Sequence, residues 1–472
     1  MSNELETKTT GEVLKEKLFS KKKNVFECAD EAKRAEIFAY AEGYKQYLDE
    51  AKTEREAVDA SILMLEKEGY RAYRMGDALK AGDKIYYNNR GKSLVACRIG
   101  RKNVAEDGIR IVAAHVDSPR IDLKQVPLYE DSGMCFFKTH YYGGIKKYQW
   151  TAIPLALHGV VLRADGTSVS VVIGEDECDP VFYIDDLLPH LGADQGQKPL
   201  SSAIAGETLN IVVGGLPYAD EKIDEKIKLG VLAILDEKYG ITEEDFISAE
   251  LCAVPAYKAK DIGFDRAFIG AYGHDDRVCA YPALTALTEL TDDAHTVMVI
   301  LADKEEIGST GNTGMRSCML SDLIDQIADA FGVSAARVRE ASLCLSADVN
   351  AAYDPNFAEV YERRNSALIS CGTTMSKYTG ARGKSGTNDA SAETVSRIRR
   401  IFADKGVMWQ TAELGRVDQG GGGTVAMFIA EMNIPTVDLG VPVISMHAPY
   451  ELISKADLYT MKEAMDAFYI AD

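Results

Sequence analysis

Two histidines and a series of carboxylates stand where short apolar runs stop. His115 and Asp117 follow the run 109–114, Glu305 and Glu306 follow 296–301, and Asp348 follows 342–346. Gly273-His274-Asp275-Asp276-Arg277 opens another segment, and His447 closes Ser445-Met446-His447 after the run 442–444. Imidazole nitrogens and carboxylate oxygens are the donors that hard and borderline divalent cations take. Each piece alone has an ordinary reading: a solvated acid pair, a helix cap, a core histidine. Five such pieces at loops that face one crevice point instead to metal-assisted chemistry. A strand repeats every two residues, so His115 and Asp117 share a side, and Asp117 is placed to orient a ligating imidazole. On a bend, Glu305 and Glu306 diverge, one towards a cation and the other towards water.

The elements that must position these groups show in the periodicity. The first 70 residues read as helical, with Ile37, Tyr40, Tyr44 and Leu48 recurring among Glu and Lys. Strands follow at 84–87, 93–99 and 109–114, the last an almost continuous apolar run, as a strand buried on both faces requires. From 122 to 259, apolar bursts between Gly, Asp and Pro signals read as a β-rich unit with one helical stretch near 220–239. After Phe264 strands and helices alternate: strands at 296–301, 342–346 and 436–439, helices at 425–432 and 456–469. That alternation predicts an α/β/α layer fold with a mixed sheet, its crevice beyond the carboxyl ends of the strands. The economical organisation is a discontinuous catalytic unit, 1–121 with 260–472, interrupted by the β-rich unit 122–259.

Composition narrows the function classes. The chain has 472 residues, 46% hydrophobic and 27% charged, enough for two or three cores at roughly 150 residues per domain. Its formal charge is 53 − 73 = −20, which disfavours nucleic acid and anionic lipid as partners. No apolar run approaches a membrane span, and residues 1–26 lack the apolar centre of a secretory signal. Nine dispersed cysteines without a CxxC pair read as reduced thiols and a cytoplasmic location.

The motifs AAHVDSPRIDLK, GHDDRVCAYPAL, DKEEIGSTG, LSADVNAAYDPNF and VPVISMHAPYE, in that order along the whole chain, resemble the aspartyl aminopeptidase/aminopeptidase I family of dinuclear metallopeptidases. The resemblance implies two divalent cations per subunit, Zn²⁺ first and Co²⁺ or Mn²⁺ as alternatives. His115 and Asp348 would hold one, Glu306 and His447 the other, and Asp275 would bridge them through a segment carrying a cis Asp275–Asp276 peptide. Glu305 would be the general base and Asp117 would orient His115. Asp275, Glu306 and Asp348 offset three of four positive charges, and the remaining one favours hydroxide and an oxyanion-like intermediate. The family often has Asp-Asn where this chain has Asp275-Asp276-Arg277, a pattern closer to a neighbouring aminopeptidase family.

The resemblance further implies peptide substrates with free N-termini and a homo-oligomer, at least a dimer and by analogy a tetrahedral dodecamer. His158, in the insert, would contact substrate in a neighbouring subunit's site. In the branch that prefers acidic N-termini, a lysine follows a Pro-Val-Ile-like segment; the comparable 366–370 has none. Lys377, seven residues beyond Ser370, would substitute only through a rearranged loop, so a neutral or hydrophobic N-terminal residue is expected. The glycine run 420–423 lacks the Gly-Lys-Ser/Thr ending of a phosphate loop, and the family's comparable turn puts Gly422 and Gly423 in the substrate pocket. Two other readings stay open: a dinuclear amidohydrolase or carboxypeptidase-like deacylase, and a non-catalytic oligomeric metal-binding shell.

Overall fold

The computed structural model describes residues 8–472; residues 1–7, grouped above with the catalytic unit and the N-terminal signal reading, lie outside the described residues. The centre is a nine-stranded mixed sheet. Its strands run in the order Arg71–Ala72, Lys84–Asn89, Ser93–Arg98, Thr296–Ala302, Ile109–His115, Leu343–Ala347, Thr436–Gly440, Thr373–Ser376 and Trp409–Thr411. The four from Thr296–Ala302 to Thr436–Gly440 are mutually parallel.

The apolar runs are strands buried on both faces, and alternate residues enter two separate cores. Val112 and Ala114 pack with helices Glu31–Glu50, Glu54–Lys67, His274–Glu289 and Lys455–Tyr469, whereas Ile111 and Ala113 face helix Met319–Ala330. Val297, Val299 and Leu301 divide from Met298, Ile300 and Ala302 in the same way. This is the α/β/α layering that the periodicity predicts.

Residues 120–255 build a second sheet of seven strands with its own core around Trp150, Phe137 and Leu155. All its pairings are antiparallel. Helix Lys226–Tyr239 packs on it, where the helical stretch near 220–239 is expected. A third, five-stranded sheet joins Lys260–Ile262, Phe268–Ala271, Glu451–Ser454, Pro442–Ile444 and Asn350–Ala351. Its strands are two to four residues long, too short to show a period in the sequence. No helix of the described residues is long and apolar enough to cross a membrane.

Candidate metal centre

Three adjacent parallel strands deliver half of the site. Ile109–His115 lies between Thr296–Ala302 and Leu343–Ala347, with Ala302 abreast of His115. His115 therefore ends the middle strand, Asp348 follows one neighbour, and Glu305 and Glu306 follow the other. The third sheet supplies the rest. Asp275 comes just after Phe268–Ala271, and His447 sits between Pro442–Ile444 and Glu451–Ser454. The Asp275–Asp276 peptide is cis, as the resemblance implies.

All five side chains meet. His115 Nε2 lies 3.1 Å from Asp275 Oδ1 and 3.7 Å from Asp348 Oδ1. His447 Nε2 lies 3.2 Å from Asp275 Oδ2 and 3.5 Å from Glu306 Oε2. Two ligand groups result, His115–Asp275–Asp348 and Asp275–Glu306–His447, and Asp275 belongs to both. Glu305 lies on the His115 side, its Oε2 4.0 Å from His115 Nε2, so the acid pair diverges as expected on its bend. Lys304 makes that bend in the left-handed region, at φ 66°.

Both imidazoles are set to offer Nε2. His115 Nδ1 donates to the main-chain carbonyl of Asp117 at 3.0 Å, and His447 Nδ1 donates to that of Gly144 at 2.8 Å. Each leaves Nε2 aimed at the carboxylates, the arrangement in which a hydrogen bond at one nitrogen fixes the other as a ligand. The Asp117 carboxylate is farther from Nδ1, at 3.3 Å. Its shorter contacts hold the acid pair: Oδ1 accepts from Glu305 N at 3.1 Å and Oδ2 from Glu306 N at 3.2 Å.

The donors fit a pair of cations. Glu306 Oε1 is buried without a hydrogen-bond partner, a cost that a positive charge would offset. Burial and the charge of Asp348 push the Glu305 carboxyl up to about 8. Burial and Asp275 push Glu306 well above the usual carboxylate range. Burial also opposes ionisation of Asp275, but hydrogen bonds to His115 and His447 outweigh it and hold that carboxyl below its ordinary value. Burial lowers the proton affinity of His447, yet Asp275 and Glu306 outweigh it and raise its pKa to about 10.

Further residues, which the sequence reading passes over, brace these groups. Buried Glu451 accepts from the main-chain N–H groups of Asp275 and His447, at 3.1 and 2.7 Å. Asp276 Oδ2 accepts from His115 N at 3.2 Å. Arg277, fully buried, donates to the carbonyls of Val116 and Lys52. His274 is a core histidine held between Tyr44 and the Ile269 carbonyl. The one sequence signal for Glu451 is its place in VPVISMHAPYE.

A cavity of about 460 Å³ opens on the centre, lined by Asp275, Glu305, Glu306, Asp348 and His447 and also by Gly422 and Gly423. Val349, Leu414 and Met446 give it apolar walls, and no lysine or arginine among the described residues lines it. Lys377 stands elsewhere, paired with Asp389. His158 also departs from expectation. It is buried, with Nδ1 2.7 Å from Glu56 Oε1 and Nε2 3.0 Å from Glu175 Oε1. A ring saturated at both nitrogens inside its own subunit cannot reach a neighbour's substrate. His140 and His190 are the exposed histidines of the insert.

Comparison with known proteins follows from this geometry. The family described as aminopeptidase I zinc metalloprotease (M18) matches residues 47–469. A probable M18 family aminopeptidase 1 of Clostridium acetobutylicum is 48% identical over 96% of this chain and 98% of its own. The crystal structure of an M18 family aminopeptidase from Thermotoga maritima superposes with a TM-score of 0.91 at 42% identity, covering 96% of this chain and 99% of that one. The S. cerevisiae mApe1 dodecamer shares the fold, with a TM-score of 0.74 at 22% identity over 91% of this chain and 96% of that one.

One prediction comes from the proton balance. The histidines and Glu306 hold protons more tightly than usual, and a cation can be held only after they give them up. Zinc binding at pH 7 should therefore release protons, and affinity should rise with pH. Calorimetric titration in two buffers of different ionisation enthalpy reads this directly, and identical heats in both would contradict it.

Proposed function

This chain belongs to the aminopeptidase I zinc metalloprotease family (M18) and is a metalloaminopeptidase, and on that premise we propose how its own residues do the work. Asp275 would be shared between two cations. His115 and Asp348 would complete one site, and Glu306 and His447 the other. The observation that carries this is the double placement of Asp275, with one oxygen near each histidine. A pair of divalent cations held there, zinc by the family description, would supply Lewis acidity, lowering a water's pKa to about 7 and polarising the scissile carbonyl.

The protein residues do the rest. Glu305, on the cavity wall beside the ligands, accepts the proton of the attacking water and returns it to the leaving amine. Asp117 fixes Glu305 and Glu306 by holding both their main-chain N–H groups. Gly422 and Gly423 line the cavity without side chains to fill it, leaving room for the substrate's first residue.

The lining sets the preference. An acidic N-terminal side chain would find no lysine or arginine to pair with, whereas Val349, Leu414 and Met446 accept an apolar one. The chain therefore prefers neutral or hydrophobic N-terminal residues. It works as a homo-oligomer, at least a dimer and in the fullest form a tetrahedral dodecamer. Support comes from the insert, which exposes Leu188, Leu191, Leu200, Leu216 and Ile234, apolar side chains that a neighbouring copy would cover. Any histidine that the insert lends to a neighbour would be His140 or His190. Nine free cysteines support a reducing, cytoplasmic setting.

Three measurements check these assignments. Across unblocked aminoacyl chromogenic substrates, kcat/KM for leucyl should exceed that for aspartyl or glutamyl at least about tenfold; a preference for acidic residues would refute the pocket reading, and faster turnover of N-blocked substrates would refute aminopeptidase specificity. Glu305→Gln should keep zinc and lose about 10²–10⁴-fold in kcat, whereas His447→Ala should lose zinc as well. Unchanged kcat in Glu305→Gln would eliminate the proposed base. Light scattering should give a particle mass that is a multiple of the 51.6 kDa chain; a monomer would contradict the assembly.

A further inference from the structure

The inserted sheet does not end at the border of the catalytic unit. Its strand Met134–Tyr142 runs into Gly143 and Gly144, and three consecutive residues there touch the centre. Tyr142 Oη donates to Asp117 Oδ2 at 2.8 Å. Gly143 takes a left-handed φ of 76°, which favours glycine, and a Cβ on it would press to 3.4 Å from Glu306 Cβ and 3.3 Å from the Pro119 ring. The Gly144 carbonyl accepts from His447 Nδ1 at 2.8 Å.

We propose that Tyr142–Gly143–Gly144 is a positioning element of the catalytic centre, through which the inserted sheet sets the geometry of the Glu306–His447 cation site and of Glu305 beside it. Tyr142 acts through Asp117, whose Oδ2 also accepts from Glu306 N and whose Oδ1 accepts from Glu305 N. Without the phenol, the hydrogen bonds to the Asp117 carboxylate come from the acid pair's own turn alone, and the carboxylate can tilt with the turn it should fix. Gly144 acts through His447, keeping its Nε2 on the side of Asp275 and Glu306. The insert thus grips the Glu306–His447 half-site twice, at Glu306 through Asp117 and at His447 through Gly144.

The anchor behind Tyr142 is stiff. The buried Arg120 guanidinium stacks 4.2 Å from the Tyr142 ring centroid. It is held by Glu54 at 2.7 Å and Asp122 at 2.8 Å. A cation over the ring face holds the ring in place and strengthens the phenol as a donor. Arg120 and Asp122 belong to the first strand of the insert, while Glu54 starts helix Glu54–Lys67 of the catalytic layer. The ring is therefore clamped at the seam between the two units, where any shift of the insert reaches Asp117 within one hydrogen bond.

This inference rests on the cation-centre reading above, and its test separates the two. Tyr142→Phe keeps the ring and removes only the donor. Thr139→Val removes a buried hydroxyl on the same strand, one that bonds the Leu209 carbonyl inside the insert and touches nothing in the centre. In the full-length chain, zinc affinity by calorimetry should weaken about tenfold in Tyr142→Phe, the size expected when a group supporting a metal ligand is lost. The kcat for leucyl substrate at saturating zinc should fall by a similar factor with KM within about twofold of the parent. Thr139→Val should lower the melting temperature and leave zinc affinity and kcat as in the parent. Parental zinc affinity and kcat in Tyr142→Phe would overturn the proposal, as would equal losses in Thr139→Val. A parent that binds zinc yet hydrolyses no unblocked substrate would sink the functional reading alone, because the zinc titration would still decide the role of Tyr142. A parent that binds no zinc would sink both.

Discussion

Everything at this centre follows from one crowded carboxylate. Asp275 lies fully inside the protein with one oxygen near each of two histidines, and three further carboxylates, Glu305, Glu306 and Asp348, share the cavity wall with it. Like charges so close raise one another's proton affinity, as Glu305 and Glu306 show. Such a cluster is expensive to bury unless positive charge lies among its members. The same crowding that costs stability creates a site for divalent cations, and cations there relieve it.

The fold meets this cost by distributing support. Three parallel strands set the level of His115, Asp348 and the acid pair, and the small third sheet brings Asp275 and His447 to them from the opposite direction. Main-chain donors then fix the carboxylates that carry no cation: Asp117 takes those of Glu305 and Glu306, and Glu451 takes those of Asp275 and His447. Hydrogen bonding of ligands by outer groups both orients them and raises their basicity. The inserted sheet takes part in that support through Tyr142 and Gly144, so the part of the chain with the most exposed apolar surface is also bonded to the chemistry.

The sequence shows most plainly what depends on local pattern. The runs ending at His115, Glu305 and Asp348 are legible because strands buried on both faces must be apolar throughout, and ligands cluster where such strands stop. The insert is legible from the change of rhythm after Asp122. The third sheet is not, because strands of two to four residues carry no period. Tyr142 escapes notice for a related reason: it acts by one hydrogen bond to Asp117, and nothing in its neighbours marks it; Asp276 and Glu451 stand inside the quoted motifs, but their bonds to His115, Asp275 and His447 form only in the fold. His158 shows the converse error. A histidine closing an apolar run reads as an ordinary core residue and only the family resemblance gives it a functional role, whereas Glu56 and Glu175, which satisfy both its nitrogens, lie 102 and 17 residues away. Lys377 is likewise neutralised by Asp389 rather than turned to the cavity.

Anomalous X-ray scattering at the zinc edge, from crystals of the zinc-loaded chain, tests the central claim most directly. Two peaks should flank Asp275, one bonded to His115 and Asp348 and the other to Glu306 and His447. Peaks lying elsewhere, or a single ion that leaves Asp275 bound on one oxygen only, would contradict the account.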